Sequence, residues 1–344
     1  MTGPVRDLLM KGLRLRSLIQ ESHDYERGGT QKDEYSLEEV VAVPCPLCGG
    51  DDRKRIYTEH GAIGISQCLS CSVIYTCPRI RHPEQIYWGD VEKYYAEARL
   101  IFEGKASYHR DPNYLEELRL IERYKPSGRF LDVGCNMGML LRLARQRGWT
   151  AVGVEPSPSL ARLATERLGL TVYNCFLQEL PESERGSFDV VALSDVLEHV
   201  CEPLPFLSAA ARFLSDDGVL YVKVPNARWS LLKQGILRLM GWTPKLRVWD
   251  SCEHVVHYTE VTLGRLLERS GFHVFRMTTV RPPQEPIWHQ YVGHYYQYPS
   301  PWLLDWKRRL GRSVFYWMSL AERLFRPNSI GGFAPNIVAL ARKR

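Results

Sequence analysis

A chain of 344 residues has room for one large domain and one small one. Its hydrophobic fraction of 44% argues against an intrinsically disordered chain and is ordinary for a folded one. The formal net charge of +6 permits an anionic partner but is too small to indicate nucleic-acid binding on its own.

Residues 1–38 predict a tail or linker without a targeting function. Charged residues interrupt the leucines of the first 20 positions, and no small-residue cleavage site follows them. No apolar run in the chain approaches the roughly 18 residues that cross a bilayer. We therefore expect a cytoplasmic protein.

Residues 39–80 carry two C-x-x-C pairs. Cys45 and Cys48 form the first pair, and Cys68 and Cys71 form the second after 19 intervening residues. Four thiolates at this spacing fit a tetrahedral zinc site, and short apolar stretches between the pairs predict the strands of a zinc ribbon. Because four protein ligands close the coordination sphere, we expect the zinc to be structural. The pattern leaves open whether the ribbon also binds a substrate.

Residues 81–127 are rich in aromatic side chains and mostly helical in pattern. Leu115, Leu118 and Ile121 repeat at helical spacing, which predicts a helix leading into the next strand. The aromatic residues indicate either packing within this segment or a lid over the site that follows.

The stretch 129–144 predicts a strand, a tight turn and a helix. The apolar strand ends near Asp132, the turn carries Gly134 and Gly138, and apolar residues at helical spacing follow. Glycine lets the backbone approach a ligand closely, and the N–H groups at the start of a helix can meet its polar end. Glu155 ends the next strand, where an acid can bind both ribose hydroxyls of an adenosine ligand. The spacing matches neither G-x-G-x-x-G nor G-x-x-x-x-G-K-[ST], which disfavours a dinucleotide or a nucleoside triphosphate.

From residue 127 to about 280, predicted strands and helices alternate, as a doubly wound parallel sheet requires. Further strands are predicted at 171–174, 187–193, 219–224, 272–279 and 336–341. Five polar, aromatic or glycine positions follow directly after predicted strand ends, namely Gly134, Glu155, Phe176, Ser194 and Asn226. Because ligands of open parallel sheets bind at the carboxyl ends of the strands, we expect these positions to share one edge.

Two stretches resemble motifs of the class I S-adenosylmethionine-dependent methyltransferases. The first runs from Asp132 to Gly138 and continues in V-G-V-E-P at 152–156, and the second is FDVV at 188–191 followed by DVLEHV at 195–200. The resemblance implies S-adenosylmethionine as the cofactor and a Rossmann-like α/β fold. That fold has a seven-stranded, mostly parallel sheet whose last strand is antiparallel and lies between strands five and six.

The resemblance also implies which residues bind the cofactor. These are Asp132, Gly134, Cys135, Asn136, Gly138, Glu155, Phe176, Leu193 and Ser194. Asn136 stands where the family usually has glycine, and asparagine tolerates unusual backbone angles better than most residues. Phe176 stands where the family usually has an acid that contacts the adenine, so its ring could pack on the base instead.

Three histidines are candidates for the acceptor side of the site. His199 lies in DVLEHV, and an unperturbed imidazole pKa near 6.5 suits proton removal at neutral pH. The alternative is that His199 orders the local helix and shapes the pocket floor. His254 and His257 form H-x-x-H, where the resemblance implies acceptor binding or base chemistry. A metal at this pair would lack an obvious third ligand.

Two insertions are predicted in a methyltransferase domain that spans 128–344. Residues 228–253 carry three tryptophans that could cover an acceptor pocket. Within 282–334, the stretch 302–325 predicts an amphipathic helix with tryptophans on one face and arginines on the other. That helix either packs on its own domain or contacts an anionic membrane, in which case the acceptor could be a lipid or a lipid-linked glycan.

The resemblance therefore implies methyl transfer to a small-molecule, sugar or lipid-linked glycan acceptor, with the methylated atom (O, N or C) left open. One alternative is an RNA methyltransferase that uses the zinc ribbon to bind RNA, although the ribbon shows no cationic stripe beyond residues 53–55. The other is a non-catalytic, cofactor-binding scaffold protein whose turn is impaired by Asn136. We favour the enzyme, because Glu155 and the pocket histidines are intact.

Overall fold

The computed structural model describes residues 34–83, 98, 101–103, 107–108, 110–239, 248–280, 291–292, 317–322, 324–325 and 330–344. The predicted tail at 1–38 lies outside the described residues except for 34–38. The predicted amphipathic helix at 302–325 also lies outside them, except for 317–322 and 324–325.

The N-terminal part of the described chain is a ribbon of short strands. It contains β1 (Val40–Val41), β2 (Arg53–Glu59), β3 (Ile63–Cys68), β4 (Ile74–Thr76) and β5 (Arg79–Ile80). Strand β3 pairs antiparallel with both β2 and β4, and β1 pairs antiparallel with β5. A strand from far along the chain, β12 (Val256–His257), extends the ribbon sheet by pairing with β4. The ribbon therefore contains the two strands expected between the cysteine pairs and gains one from the larger domain.

Seven strands form the central sheet, and the apolar residues of its inner strands are buried on both faces, whereas its two edge strands are partly exposed. Their bounds are β7 Arg129–Val133, β8 Thr150–Val154, β9 Thr171–Tyr173, β10 Phe188–Ser194, β11 Leu214–Pro225, β13 Phe272–Thr278 and β15 Asn336–Lys343. The order across the sheet is β13-β15-β11-β10-β7-β8-β9. Strand β15 is antiparallel to both of its neighbours, whereas β7 to β11 pair in parallel. This confirms the predicted Rossmann-like α/β sheet. Two short strands, β6 Ser107–Tyr108 and β14 Tyr291–Val292, pair with each other.

Helices connect the strands of the sheet, and local sequence sets their ends. Their bounds are α1 Asp111–Glu122, α2 Met139–Gln146, α3 Pro158–Leu168, α4 Pro203–Phe213, α5 Ala227–Leu239 and α6 Glu260–Arg269. At α3, Ser157 accepts a hydrogen bond from the N–H of Leu160, and Gly169 ends the helix with a φ of 58°. Within the described ranges, every helix is too short or too polar to cross a bilayer.

One predicted element is wrong. Residues 194–200 do not open an α-helix, and only Leu197–His199 form a short 3-10 turn. Asp195 has a φ of 58°, a left-handed conformation that cannot continue a right-handed helix. The left-handed residue turns the chain sharply after β10, which brings His199 back towards the sheet edge.

The central sheet and the ribbon share an apolar core. Leu131 and Val191 of the sheet lie in the same buried cluster as Leu47 and Tyr75 of the ribbon. A second cluster, on the other face, contains Leu118 of α1 together with residues of α2. The ribbon is therefore packed as part of the larger domain, and its position relative to the sheet edge is fixed by burial.

Candidate functional site

The predicted cofactor turn lies at the carboxyl end of β7. Gly134, Asn136 and Gly138 have φ values of 69°, 51° and 82°, in the left-handed region that favours glycine and tolerates asparagine. Asn136 thus takes a conformation that most side chains would resist. The N–H groups of Gly134 and Cys135 donate to the carbonyl oxygen of Val154 at 2.8 Å and 3.1 Å. These bonds hold the turn against the end of β8.

Glu155 follows β8 and faces the turn. Its side chain is fully buried, and its carboxylate oxygens accept hydrogen bonds from the N–H groups of Asn136 at 2.8 Å and Ser157 at 2.9 Å. Burial raises the pKa of Glu155 to about 7, against the opposite effect of these two hydrogen bonds. Each carboxylate oxygen has a second lone pair, so the same group could accept from the hydroxyls of a bound ribose.

The remaining positions after strand ends have different surroundings. Phe176 follows β9, and 45% of its surface is exposed. Leu193 is buried inside β10, whereas Ser194 ends β10 and donates through Oγ to Glu117 at 3.0 Å. Asn226 is buried, and its amide donates to two backbone carbonyls of the loop before β15. The Asn226 side chain therefore holds that loop.

Asp132 and Cys135 have buried side chains next to the turn. Burial, reinforced by two neighbouring carboxylates, raises the pKa of Asp132 well above its ordinary value. Above the turn, a Cβ on Gly134 would lie 3.0 Å from Cγ2 of Val196, so Val196 packs directly on the glycine. Because the side chains of Asp132 and Cys135 are buried, their contacts to a bound cofactor would come from the backbone.

A buried network of charged side chains lies between α1 and the sheet. Lys223 of β11 is 2.5 Å from the carboxylate of Glu117 in α1 and 3.1 Å from that of Asp195. Arg110 donates to the same Asp195 carboxylate at 2.8 Å. Burial would raise the pKa of Asp195, but Lys223 and Arg110 outweigh burial and hold it below its ordinary value. The network fastens the start of α1 to the ends of β10 and β11.

Sequence reasoning did not identify this network. Lys223 is the one charged residue in the apolar run 219–224, and a charge in such a run indicates a buried, paired side chain. The sequence alone could therefore have marked Lys223 as a buried, paired charge. No local pattern marks Arg110 or Glu117, because their partners lie 85 and 106 residues away along the chain.

His199 and His254 meet at the carboxyl edge of the sheet, with Glu198 beside them. The two imidazole rings pack edge to face with 4.9 Å between their centroids. His199 Nδ1 is 3.0 Å from the carbonyl oxygen of Glu253, and its Nε2 is 4.0 Å from the Glu198 carboxylate. One ligand atom from each of Glu198, His199 and His254 lies within 4.8 Å of the others. The side chains that converge on His254 are therefore those of Glu198 and His199, and not its partner in the H-x-x-H pair.

The surroundings change the acid–base character of this cluster. Burial, and then the neighbouring His254, lower the pKa of His199 to about 3. Burial lowers the pKa of His254 to about 4, and burial together with Asp195 raises the pKa of Glu198 well above its ordinary value. At pH 7 both imidazoles are neutral and able to accept a hydrogen bond. The unperturbed value near 6.5 does not apply to His199 in the unliganded chain.

His257 lies behind the cluster, in β12. It is buried, its Nε2 is 3.1 Å from Oγ1 of Thr76 in the ribbon, and its ring packs edge to face on Trp249. The centroids of the His254 and His257 rings are 6.4 Å apart. Of the three predicted histidines, the structure brings His199 and His254 together and places His257 between them and the ribbon.

The four ribbon cysteines converge on one point. The Sγ atoms of Cys45, Cys48, Cys68 and Cys71 lie within 4.8 Å of one another. Those of Cys45 and Cys71 are 3.4 Å apart, and those of Cys48 and Cys68 are 3.5 Å apart. Four thiolates at about 2.3 Å from a zinc ion would lie roughly 3.8 Å from one another in a tetrahedron. The donor set therefore fits a structural zinc ion.

A cleft of about 610 Å³ lies between the ribbon and the sheet edge. The ribbon lines it with Pro44, Tyr75 and Arg79, and the sheet edge lines it with Val200 and Val255 among others. Its walls thus contain the immediate sequence neighbours of the histidine cluster. A cleft of this size can accommodate a small organic molecule.

Part of the larger domain is similar to known proteins. Residues 108–276 match the family model described as a methyltransferase domain. The chain is 29% identical over 161 residues to the ubiquinone biosynthesis O-methyltransferase of Nitrobacter winogradskyi, a match that covers 44% of this chain and 59% of that protein. It is 33% identical over 123 residues to the protein of the same name from Idiomarina loihiensis, covering 33% and 51%. The chain thus spans little more than half the length of these curated relatives.

Solved structures with a similar fold are more distant in sequence. A protein from Thermotoga maritima, described as an S-adenosylmethionine-dependent methyltransferase and possible histamine N-methyltransferase, is 20% identical and covers 76% of this chain and all of its own, with a TM-score of 0.48. Magnesium protoporphyrin IX methyltransferase from Synechocystis PCC 6803, with bound S-adenosylhomocysteine, is 15% identical and covers 69% and 84%, with a TM-score of 0.43. Nothing about a substrate follows from matches of this kind.

Proposed function

We propose that this chain, whose residues 108–276 match a methyltransferase family model, is a class I methyltransferase that transfers a methyl group from S-adenosylmethionine to a small-molecule acceptor. One observation carries the proposal. Glu155 and the left-handed turn from Gly134 to Gly138 meet at the carboxyl edge of a parallel sheet, where such folds bind their ligands. The name that the curated relatives share supports transfer to an oxygen atom.

On the cofactor side, the chain's own residues bind and orient. Glu155 would accept hydrogen bonds from both ribose hydroxyls, and the exposed ring of Phe176 would cover one face of the adenine. The absence of side chains at Gly134 and Gly138 lets the methionine portion approach the backbone. The bound cofactor would supply a methyl group on a sulfonium centre, where in-line attack of the acceptor on the methyl carbon breaks the carbon–sulfur bond and S-adenosylhomocysteine leaves. The contribution of the protein is mainly to position the two reactants.

On the acceptor side, the neutral imidazoles of His199 and His254 would accept a hydrogen bond from an acceptor hydroxyl. As the new C–O bond forms, the hydroxyl proton becomes more acidic and can pass to an imidazole. The nearby Asp195 carboxylate favours the imidazolium that results, because it raises the pKa of both histidines against the effect of burial. An acceptor with an acidic hydroxyl, such as a phenol, suits these weak bases best.

The cleft between the ribbon and the sheet edge supports the same acceptor class. Pro44, Tyr75, Val200 and Val255 give it apolar walls, and Arg79 is a cationic group at the ribbon side. An aromatic or prenylated acceptor could bury its apolar part there and present a hydroxyl to the histidines. The structural zinc would hold the ribbon wall of this cleft, and no step of the transfer requires it.

The test is a transfer assay with radiolabelled S-adenosylmethionine and a panel of acceptors. The panel contains substituted phenols and catechols, prenylated phenols, nucleotide sugars, lipid-linked glycans and total RNA. We expect labelled product from the phenolic arms, reduced at least tenfold in His199→Gln. Label in the sugar, glycan or RNA arms alone would replace the proposed acceptor class. No label in any arm, together with no cofactor binding, would reject the enzyme in favour of a scaffold protein.

A further inference from the structure

The ribbon holds the chain segment that carries two of the pocket histidines. That segment, 248–257, contains His254 and His257. The buried carboxylate of Glu59, at the end of β2, accepts three hydrogen bonds from backbone N–H groups at its start, at 2.6 Å from Val248, 2.8 Å from Trp249 and 3.1 Å from Ser251. Because a buried N–H without an acceptor is costly, Glu59 fixes the backbone of this turn to the ribbon.

The other end of the segment is held by Thr76 at the end of β4. The hydroxyl of Thr76 donates to the carbonyl oxygen of His254 at 2.7 Å, and its Oγ1 is 3.1 Å from Nε2 of His257. The N–H of Thr76 donates to the carbonyl oxygen of Val255 at 3.0 Å, and the adjoining residues of β4 and β12 pair antiparallel, Tyr75 with Val256 and Ile74 with His257. One ribbon side chain therefore contacts both histidine residues of the segment.

The hydrogen bonds of Thr76 determine which ring nitrogen of His257 carries the proton. A threonine hydroxyl has one proton, which is used in the bond to the His254 carbonyl. Towards His257, Oγ1 can then act only as an acceptor, so Nε2 of His257 must carry the proton. The ring of His257 is thereby fixed in orientation by Thr76 on one side and by Trp249 on the other.

The two C-x-x-C turns of the ribbon are hydrogen-bonded to helix α6 of the larger domain. Arg265 of α6 donates to the carbonyl oxygen of Cys71 at 3.2 Å, and Arg269 donates to that of Leu47 at 2.5 Å. The first carbonyl belongs to the predicted zinc ligand Cys71, and the second belongs to the residue before the predicted ligand Cys48. The cofactor turn, in contrast, is held by the domain itself, because the N–H groups of Gly134, Cys135 and Asn136 donate to Val154 and Glu155.

We propose that Thr76 of the zinc ribbon is the positioning residue for the acceptor-side histidines. Through Thr76, with Glu59 in support, the folded ribbon fixes the His254 backbone and the Nε2–H tautomer of His257, and leaves cofactor binding to the sheet. The inference rests on the proposed function for its catalytic meaning. The contacts themselves can be tested without any acceptor.

The experiment is a long-range ¹H–¹⁵N spectrum of the histidine rings in the zinc-loaded full chain at pH 7.5. The His257 signals are assigned by their loss in His257→Gln. In the wild type we expect the Nε2–H pattern for His257. In Thr76→Val, which keeps the shape and removes the hydroxyl, we expect a mixture of tautomers and a shifted His254 signal. Thr76→Ser should restore the wild-type pattern, because serine retains the hydroxyl.

Cofactor binding separates this inference from the proposed function. Titration with S-adenosylhomocysteine should give the same Kd within twofold in wild type, Thr76→Val and Thr76→Ser. An unchanged His257 pattern in a folded Thr76→Val would overturn the positioning role while leaving the methyltransferase proposal intact. A failure of the wild type to bind S-adenosylhomocysteine would overturn the proposed function, whatever the histidine spectra show. With an acceptor in hand, Thr76→Val should lower kcat and leave the KM for the cofactor unchanged.

Discussion

Glu155 is fully buried, and its carboxylate accepts hydrogen bonds from the backbone N–H groups of Asn136 and Ser157. Burial raises its pKa to about 7, so that near neutral pH the carboxyl is part protonated. The protonated form has lost acceptor capacity, and only the carboxylate can accept from both ribose hydroxyls at full strength. The affinity for the cofactor is therefore expected to depend on pH in the physiological range.

We predict that S-adenosylhomocysteine binds about tenfold more tightly at pH 8 than at pH 6, because Glu155 is mostly ionised at the higher pH and mostly protonated at the lower one. Isothermal titration at several pH values measures this directly. Glu155→Gln should bind weakly at every pH and show no such trend, whereas Glu268→Gln, at an exposed carboxyl of α6, should follow the wild type. A flat profile in the wild type would show that the carboxyl of Glu155 does not titrate in this range.

Two glycines allow the cost of a side chain on left-handed backbone to be measured separately from the cost of steric crowding. Gly138 and Gly148 both have left-handed φ values, of 82° and 93°. A Cβ on Gly138 would meet Leu170 at 2.5 Å and Ala164 at 3.1 Å, whereas a Cβ on Gly148 would meet nothing within 4 Å. We predict that Gly148→Ala lowers the free energy of unfolding by about 1 kcal/mol and that Gly138→Ala lowers it by about 3 kcal/mol. Urea unfolding measures both, and equal losses would mean that the Leu170 side chain moves aside freely.

Helix α1 is held over the sheet edge by charges rather than by apolar contact alone. Glu117 is fully buried and Lys223 is 4% exposed, so neither group can be compensated by water if the other is removed. The same network includes Asp195 and Arg110 and borders Ser194. It thus couples the helix that precedes the cofactor turn to the strand ends that form the site.

We predict that Lys223→Met lowers the free energy of unfolding by about 3 kcal/mol, because the Glu117 carboxylate is left buried without its cation. The double variant Glu117→Gln/Lys223→Met should recover a large part of that loss, since the buried charge is gone. Arg185→Ala, which breaks the exposed Arg185–Glu182 pair, should change stability by less than about 0.5 kcal/mol. Denaturant unfolding of wild type, Lys223→Met, Glu117→Gln and the double variant forms a double-mutant cycle, with Arg185→Ala as a separate control, and strictly additive losses would contradict the coupling.

At the scale of elements, the sequence predicts what depends on local pattern and misses what depends on distant partners. The strands of the sheet, the left-handed turn at Asn136 and the position of Glu155 all follow from residues within a few positions of each other. The helix expected at 194–200 is absent because Asp195 is drawn into a network with Lys223 and Arg110, and no local rule contains that network. For the same reason, the H-x-x-H spacing of His254 and His257 offered no third ligand for a metal, whereas the fold brings Glu198 and His199 next to His254.

At the scale of the whole molecule, the ribbon is built into the larger domain. It shares an apolar core with the sheet, takes β12 as one of its own strands, and supplies one wall of the cleft. The sequence divides the chain into a ribbon at 39–80 and a domain at 128–344. Those boundaries remain predictions, but the shared core means that the two parts should unfold together.

We predict that removing zinc with a chelator lowers the midpoint of one cooperative thermal transition by roughly 10 °C, because zinc-binding energy is folding energy for the ribbon and the ribbon is continuous with the core. Circular dichroism with zinc added back is the control. Loss of a separate small transition, with the main midpoint unchanged, would show that the ribbon unfolds independently of the sheet.

Isothermal titration of the full chain with S-adenosylmethionine and S-adenosylhomocysteine tests the cofactor site directly. We predict micromolar binding of both, at one site per chain, and a loss of at least tenfold in affinity in a folded Glu155→Ala. Absence of binding in a folded, zinc-loaded sample, or binding that Glu155→Ala leaves unchanged, would contradict the assignment of the cofactor site.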